Sequence, residues 1–333
     1  MLPEGIYRWF RKVWTGLDFE QFPHGVIVSG IPGIGRHDFV KQLIQSLLCS
    51  QNGPQGQACN HCRSCELYLT GANADYKSLL LVEGKTQIGV DQVRDSISWI
   101  NTSHQFNAKK VLFIPQAELM TVQAANSLLK TLEEPPAETV IILLVEHIES
   151  LIPTIRSRCR SIHLPGPDRQ EAKEWLANQT FENLKNISTV DNLELLLDIC
   201  SNAPLKVKEL ISGEEYQQRQ LILDQILSVF DQAEDPVMVA KNLEKIDNSI
   251  VIYWFYALVM DLIRCRFQLE SRYIMNKDYL NHFQAMHESI NLIMLYEVYA
   301  ELNKYYQQRS SQLNQQLLLE SLLIRWRNCS TVL

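Results

Sequence analysis

Four of the eight cysteines in this 333-residue sequence lie close together and could bind a metal ion. They are Cys49, Cys59, Cys62 and Cys65. Four thiolates at this spacing suit tetrahedral zinc, and the turn-rich stretch 51–57 can bring the first cysteine back towards the other three. We therefore predict a structural zinc site in an insertion at residues 49–66. A redox-active or disulfide-linked cluster is the alternative, which a reducing cytosol disfavours.

A second candidate site is a glycine-rich turn between an apolar run and an amphipathic segment. Its key residues are Gly30, Gly33, Gly35, Arg36 and His37. A strand, a glycine-rich turn and a helix together make the backbone geometry that binds phosphates. A working turn ends in Gly-Lys-Ser/Thr, because the ammonium reaches the phosphates and the hydroxyl ligates Mg²⁺. Here Arg36 and His37 stand in those places, so we predict a nucleotide site that has kept its scaffold and lost its chemistry.

The acid that such a site needs is also missing at its expected position. In a P-loop ATPase a neighbouring strand ends in Asp or Asp-Glu, whereas the strand at 110–114 is followed by Pro115 and Gln116. We interpret Glu118, two residues further on, as a helix-start residue. The rival hypothesis is a nucleotide-binding or weakly active ATPase in which Arg36 replaces the lysine.

The elements around these sites alternate between strand and helix. We predict strands at 25–29, 77–82, 110–114, 139–145 and 161–164. Mainly apolar strands separated by helices are typical of a parallel sheet covered on both faces. Beyond Pro165 the periodicity is all helical. We predict an α/β domain at 1–166, a small helical lid at 167–212 and an all-α C-terminal domain at 213–333.

Composition and charge exclude several classes of protein. The formal net charge is −7, which argues against an autonomous, strongly basic nucleic-acid binder, and so against a zinc-dependent nucleic-acid adaptor. The N-terminal segment lacks the apolar core of a signal peptide. The longest uncharged apolar run, 250–260, is too short to span a bilayer. We therefore expect a cytoplasmic protein.

The stretch from Ala124 to Pro136, followed by Ser157-Arg158-Cys159, resembles the clamp-loader branch of the AAA+ proteins. The four-cysteine insertion after the P-loop helix matches the bacterial members. The motor subunits of that branch, gamma and tau, carry an intact Gly-Lys-Ser/Thr. This sequence resembles the non-motor member that lacks it and keeps Ser-Arg-Cys. The resemblance covers the whole chain and is strongest over residues 20–165.

The resemblance implies a five-stranded AAA+ P-loop-type domain, a lid and a helical collar that joins subunits in a ring. The partners that it implies are three gamma/tau-like motor subunits and delta, within the DNA polymerase III holoenzyme, a DNA-directed DNA polymerase and nucleotidyltransferase assembly. Such a ring loads the sliding beta clamp onto primed DNA with ATP bound by the motors. The chain would have no complete active site of its own. Arg158 would act in trans at a neighbour's ATP site, with Ser157 and Cys159 shaping the motif.

Overall fold

A parallel five-stranded sheet lies at the centre of the first compact unit, Met1–Glu171, in a computed structural model of the chain. The structure describes residues 5–105, 109–179, 190–212, 215–270, 273–286, 289–307 and 315–330. The strands are β1 (Gly25–Ser29), β2 (Tyr76–Ser78), β3 (Lys110–Ile114), β4 (Thr139–Val145) and β5 (Arg160–His163). They lie in the order β2-β3-β4-β1-β5, and each neighbouring pair is parallel. The predicted fold class is confirmed.

The three central strands of the sheet are β1, β3 and β4, and all of their residues are buried. This burial on both faces explains why their sequences are continuous apolar runs without alternation. In the register of the sheet, Ile27 of β1 lies opposite Leu143 of β4 on one side and Ser161 of β5 on the other. Because the strands are parallel, their carboxyl ends meet at one edge, where ligand sites form in open α/β sheets.

Helices cover the sheet and connect its strands. They are α1 (Arg11–Thr15), α2 (Arg36–Leu48), α3 (Arg63–Leu69), α4 (Val90–Ile100), α5 (Val122–Glu133) and α6 (Pro153–Arg156). Helix α7 (Arg169–Ala177) follows the last strand, and its buried residues Ala172 and Leu176 belong to the apolar cluster of the second compact unit. Apolar residues at helical spacing place one face of α5 in the core, where Leu128 and Leu132 are buried. Pro135 and Pro136 prevent this helix from continuing.

The edge strand β2 is shorter than the sequence predicted. The apolar run suggested a strand over 77–82, but β2 pairs with β3 only from Tyr76 to Ser78. Leu80 and Val82 lie beyond the paired region and are 60% and 49% exposed. An edge strand has a partner on one side only, so apolar composition there does not fix where pairing ends.

In the second unit, Ala172–Leu333, the described residues form helices joined by turns, with one isolated antiparallel bridge between Ile290 and Ser330. Its helices are α8 (Val190–Ile199), α9 (Pro204–Ser212), α10 (Glu215–Phe230), α11 (Pro236–Leu243), α12 (Asn248–Arg266), α13 (Leu280–Met286), α14 (Leu292–Gln307) and α15 (Gln315–Arg327). One cluster of buried apolar side chains extends from Ala172 to Cys329. The predicted boundary between a lid and a C-terminal domain at 212/213 stays a prediction, and residues 213 and 214 lie outside the described ranges.

Helix α12 is, by length and composition, the one described helix that is apolar enough to cross a membrane. Half of its most apolar stretch is buried inside the protein, and the core helix of a globular domain has the same composition. Asp261 of this helix is fully buried and accepts hydrogen bonds from the backbone N–H groups of Met275 and Asn276, at 3.0 and 2.7 Å. Helix α12 therefore belongs to the packed interior of the second unit.

Candidate functional sites

The glycine-rich turn lies where its sequence predicted, between the carboxyl end of β1 and the first residue of α2. Gly33 has a φ of 79° and Gly35, which precedes α2, has a φ of 91°. Only glycine adopts such angles without strain, so the turn requires these two residues. The strand, the glycine-rich turn and the helix therefore follow one another in the order that a phosphate-binding turn uses.

The side chain of Arg36 is bonded to its own chain at this turn. Its Nη1 donates to the carbonyl oxygen of Gly30 at 3.0 Å, and its Nη2 donates to Oε1 of Glu146 at 3.3 Å. The arginine side chain is only 12% exposed. A P-loop lysine would extend towards the β- and γ-phosphates, whereas this guanidinium turns back to the loop and to the residue that follows β4. The arginine thus fills a structural role at the turn.

The N-terminal segment packs against the same turn. A Cβ atom on Gly35 would lie 2.1 Å from Cε2 of Tyr7, so the tyrosine ring is in direct contact with the glycine. The Tyr7 hydroxyl donates to Oδ2 of Asp38 at 3.0 Å, and Trp9 Nε1 donates to the carbonyl oxygen of Ile34 at 2.9 Å. The two aromatic rings stack with centroids 4.8 Å apart. The rings of Tyr7 and Trp9 therefore pack against the turn at the point where helix α2 begins.

Glu118 is the carboxylate that follows β3, and it lies in a 3₁₀ turn, Ala117–Leu119. Its Oε2 atom is buried and has no hydrogen-bond partner among the described residues. Burial raises the pKa of Glu118, while the nearby charge of Arg36 acts in the opposite direction. The side chain therefore lies within electrostatic reach of the degenerate turn, although its position in the chain differs from that of the strand-end acid of an ATPase.

The four clustered cysteines converge as the spacing predicted. Their Sγ atoms all lie within 4.8 Å of one another, and those of Cys49 and Cys62 are 4.0 Å apart. Tetrahedral zinc with Zn–S bonds of about 2.3 Å requires sulfur atoms roughly 3.8 Å apart. Cys49 follows α2 and Cys62 caps the N-terminus of α3, so two helix ends position the cluster. The arrangement fits a four-thiolate metal site.

Hydrogen bonds to sulfur within the cluster favour thiolates. The backbone N–H groups of Gln51 and Cys59 donate to Cys49 Sγ, at 3.4 and 3.3 Å, and lower its pKa, although burial raises the pKa of Cys49 by more. Burial raises the pKa of Cys65. Burial would also raise the pKa of Cys62, but hydrogen bonds from Ser50 and Cys65 lower it to about 6. A bound cation would favour the thiolate of every ligand.

His61 lies outside the group of sulfur atoms that could hold the metal. It is exposed, and its Nδ1 is hydrogen-bonded to the carbonyl oxygen of Cys59 at 2.7 Å. The insertion is fixed to the rest of the unit by Ser64, whose hydroxyl donates to the carbonyl oxygen of Leu48 at 2.7 Å. Asn73 Nδ2 donates in turn to the carbonyl oxygen of Ser64 at 3.0 Å. The cysteines thus stand on a hydrogen-bonded support.

Arg158 lies in the turn between α6 and β5, and its side chain is 33% exposed. Its Nη1 donates to the carbonyl oxygen of Thr154 at 2.9 Å and to the hydroxyl of Ser157 at 3.2 Å. Its Nε donates to Oε1 of Glu133 at 2.7 Å, and its Nη2 donates to the same oxygen. The serine hydroxyl also donates to the Thr154 carbonyl at 3.1 Å, so Ser157 is hydrogen-bonded both to the backbone of the turn and to the arginine side chain.

Cys159 anchors this turn in the core. A Cβ atom on Gly25 would lie 3.1 Å from Cys159 Sγ and 3.1 Å from Leu132 Cδ2. Burial raises the pKa of Cys159 to about 11, which favours the protonated thiol at neutral pH. Of the flanking arginines, Arg160 is exposed, whereas Nε of Arg156 is buried without a hydrogen-bond partner among the described residues.

Three contributors to these sites were missed from the sequence, namely Tyr7, Glu133 and Glu146. Glu146 directly follows β4, which neighbours β1 in the sheet. The convergence of parallel strand ends was the signal that could have linked it with the turn after β1. Tyr7 and Glu133 carried no comparable signal, because their contacts depend on tertiary packing.

Comparisons with known proteins point to one family. A family model described as DNA polymerase III, delta subunit, matches residues 9–168, and one described as DNA polymerase III, delta subunit, C terminal, matches residues 213–328. The DNA polymerase III subunit delta' of Escherichia coli (strain K12) is 33% identical over 267 residues, which cover 77% of each chain. That of Pseudomonas aeruginosa is 29% identical over 327 residues, covering 96% of this chain and 97% of the relative. Among solved structures, a DNA polymerase III gamma subunit-related protein from Thermotoga maritima is 16% identical, covers 93% of this chain and 96% of that chain, and has a TM-score of 0.47.

The sheet, the altered glycine-rich turn with Arg36 and His37, and the cysteine insertion are those of a clamp-loader-type AAA+ protein. The chain belongs to the DNA polymerase III subunit delta' family. The resemblance found in the sequence, to the non-motor member that keeps Ser-Arg-Cys, is thereby confirmed.

Proposed function

We propose that the chain is a non-hydrolysing subunit of a hetero-oligomeric clamp loader. Its partners are gamma/tau-like motor subunits and delta, and the complex loads the sliding beta clamp onto primed DNA in the cytoplasm. The chain supplies Arg158 in trans to the ATP site of a neighbouring motor. An arginine placed there stabilises the charge that develops on the transferred phosphoryl group.

The observation that carries this proposal is the way the Arg158 turn is built. Its neighbour Cys159 packs against Gly25 and Leu132 in the core, while the guanidinium remains one-third exposed. Ser157 holds one edge of that guanidinium by a hydrogen bond at 3.2 Å. A charge that must reach a site on another subunit needs this combination of a fixed backbone and an accessible side chain.

The degenerate turn supports the non-hydrolysing part of the proposal. Lysine and the Mg²⁺-binding hydroxyl are replaced by Arg36 and His37, and Arg36 is bonded to Gly30 and Glu146. His37 offers no oxygen to Mg²⁺, which prefers oxygen ligands. The alternative of a weakly active ATPase needs Arg36 to reach a nucleotide, and the hydrogen bonds that it makes disfavour this role.

We also propose that one structural Zn²⁺ is held by Cys49, Cys59, Cys62 and Cys65. A closed four-thiolate site leaves no coordination position for substrate, so the metal cross-links the insertion and contributes folding energy without catalysis. ATP is bound by the neighbouring motor subunits.

Co-purification with candidate subunits, followed by ATPase and clamp-loading assays of the reconstituted complex, tests the proposed function. We expect the Arg158→Ala complex to assemble normally, to lose a modest fraction of its total ATPase and to lose clamp loading more severely. The modest ATPase loss follows because one of several ATP sites lacks its arginine. Failure of the wild-type chain to enter such a complex would contradict the proposal.

A further inference from the structure

We propose that Glu133 is a positioning residue that holds Arg158 in a resting state from which the arginine must be released to act. This inference rests on the proposed trans role of Arg158. Glu133 is the last residue of helix α5, and α5 packs against α6, which precedes the arginine turn. The two residues are 25 positions apart in the sequence and meet only through this packing.

The hydrogen bonds show how fully the arginine is occupied. Glu133 Oε1 accepts from both Nε, at 2.7 Å, and Nη2, while Nη1 is taken by Thr154 and Ser157. A guanidinium has five N–H donors in a fixed planar fork. An arginine that clasps a phosphate in a bidentate fashion offers one edge of that fork. In this conformation the Nε/Nη2 edge, which is best suited to an oxyanion, is held by Glu133.

Charge gives a second reason for treating this pair as a resting state. An arginine supplied in trans accelerates phosphoryl transfer through uncompensated positive charge. The Glu133–Arg158 pair carries almost no net charge, so it provides little electrostatic stabilisation to a transition state. The arginine therefore has to exchange Glu133 for the γ-phosphate, which carries more negative charge than a single carboxylate.

The pair is weak enough for this exchange. The side chains of Glu133 and Arg158 are 50% and 33% exposed, and exposed ion pairs of this kind change an equilibrium by about two- to fivefold. A carboxylate at the C-terminal end of a helix is also disfavoured by the helix dipole. Glu133 therefore does little for the stability of α5 by itself, and its clear partner is Arg158.

The first test measures, in the isolated full-length chain, how well Glu133 protects the Arg158 Nε–H from exchange with water. Arginine side-chain NMR reports how fast the Arg158 Nε–H exchanges with water. We expect exchange to be faster by about two- to fivefold in Glu133→Gln, and unchanged in Glu134→Gln, a matched control at the next, exposed position. Equal exchange rates in wild type and Glu133→Gln would overturn the proposal.

The second test uses a reconstituted ring in which only the ATP site that faces this chain can hydrolyse ATP. The other motor subunits are inactivated by replacing their P-loop lysine with alanine. We expect Glu133→Gln to raise ATP turnover without clamp and DNA by about two- to fivefold, and Glu134→Gln to leave it unchanged. The double variant Glu133→Gln/Arg158→Ala should match Arg158→Ala. Turnover that is unchanged or lower in Glu133→Gln would overturn the resting-state role. Arg158→Ala with normal turnover would instead overturn the trans role itself, so the two failures are distinguishable.

Discussion

Cys159 lies directly against Gly25, the first residue of β1, so that the arginine turn is packed onto the start of one of the three central strands. A Cβ atom on the glycine would come within 3.1 Å of Cys159 Sγ and 3.4 Å of the carbonyl oxygen of Arg158. The absence of a side chain at Gly25 is what lets the turn approach so closely. The position of Arg158 is therefore set by a core contact as well as by its own hydrogen bonds.

Replacing Gly25 by Ala should destabilise the first unit and displace the arginine turn. The added methyl group would also press on Leu132 Cδ2 at 3.1 Å, and overpacking of this kind costs about 1–3 kcal/mol. Urea denaturation of the full-length chain measures the loss. Gly166→Ala is the matched control, because a Cβ atom there would meet only ordinary contacts at 3.8 Å and beyond.

The companion variant Cys159→Ala separates this contact from a general effect of the substitution. If Sγ is the atom that the new methyl group meets, Gly25→Ala should cost less in the Cys159→Ala background, since one of the close contacts is gone. A double-mutant cycle measures this coupling. If the changes in the free energy of unfolding caused by the two substitutions simply add, then the contact with Cys159 Sγ is not the reason that position 25 requires glycine.

The purified chain should not hydrolyse ATP and should not bind it detectably at micromolar concentrations. The lysine, the Mg²⁺-binding hydroxyl and the strand-end acid are absent together, and Arg36 is bonded to Gly30 and Glu146. Equilibrium binding of a fluorescent ATP analogue and a sensitive phosphate-release assay measure this. Arg36→Lys should not confer ATPase activity, since it supplies the lysine but neither the Mg²⁺-binding hydroxyl nor the strand-end acid.

ATP hydrolysis by the purified chain that disappears in Arg36→Ala would contradict this prediction and favour the ATPase alternative. Glu146→Gln is the informative companion, because it removes the anionic partner of Arg36 and leaves the glycine turn intact. We expect it to show no ATPase activity either.

The chain purified without chelator should contain one Zn²⁺, and Cys62→Ser should lose most of it. Four sulfur atoms within 4.8 Å of one another provide the ligand set, and a structural site needs all four. Zinc content by elemental analysis and thermal unfolding with and without chelator measure the effect. Chelation should lower Tm through the loss of binding energy that is coupled to folding.

Cys265→Ser is the control for the zinc prediction, because Cys265 lies in α12, outside the four-cysteine cluster. It should keep its full zinc content. Protein without zinc whose four clustered thiols all react freely would show that the cysteines are not a metal site.

The sequence predicted the elements that depend on local pattern. The strands β1, β3 and β4 have the bounds that their apolar runs indicated. The glycines of the turn and the four cysteines also carried their own signals, because backbone angle and ligand spacing are local properties. Helix α3, which begins inside the cysteine insertion and ends at Leu69, has no such signal because it is short.

The contacts that complete the sites depended on tertiary structure. Arg36 and Glu146 are separated by 110 residues, and the pair forms only because β1 and β4 are neighbours in the sheet. Glu133 meets Arg158 only where α5 packs against α6. No periodicity in the sequence encodes such a partnership, since exposed charges follow no pattern that specifies their partners.

The most direct measurement is single-site ATP turnover in a ring whose only hydrolysing motor faces this chain. With Arg158→Ala we expect turnover to fall by about 10³ while the ring still assembles, because an arginine supplied in trans contributes at least that much. Arg158→Lys should recover little, since an ammonium lacks the planar fork, and the exposed control Arg160→Ala should match wild type. Equal turnover in Arg158→Ala and Arg160→Ala, or a ring that fails to assemble with Arg158→Ala, would show that Arg158 is an interface cation and not a catalytic arginine.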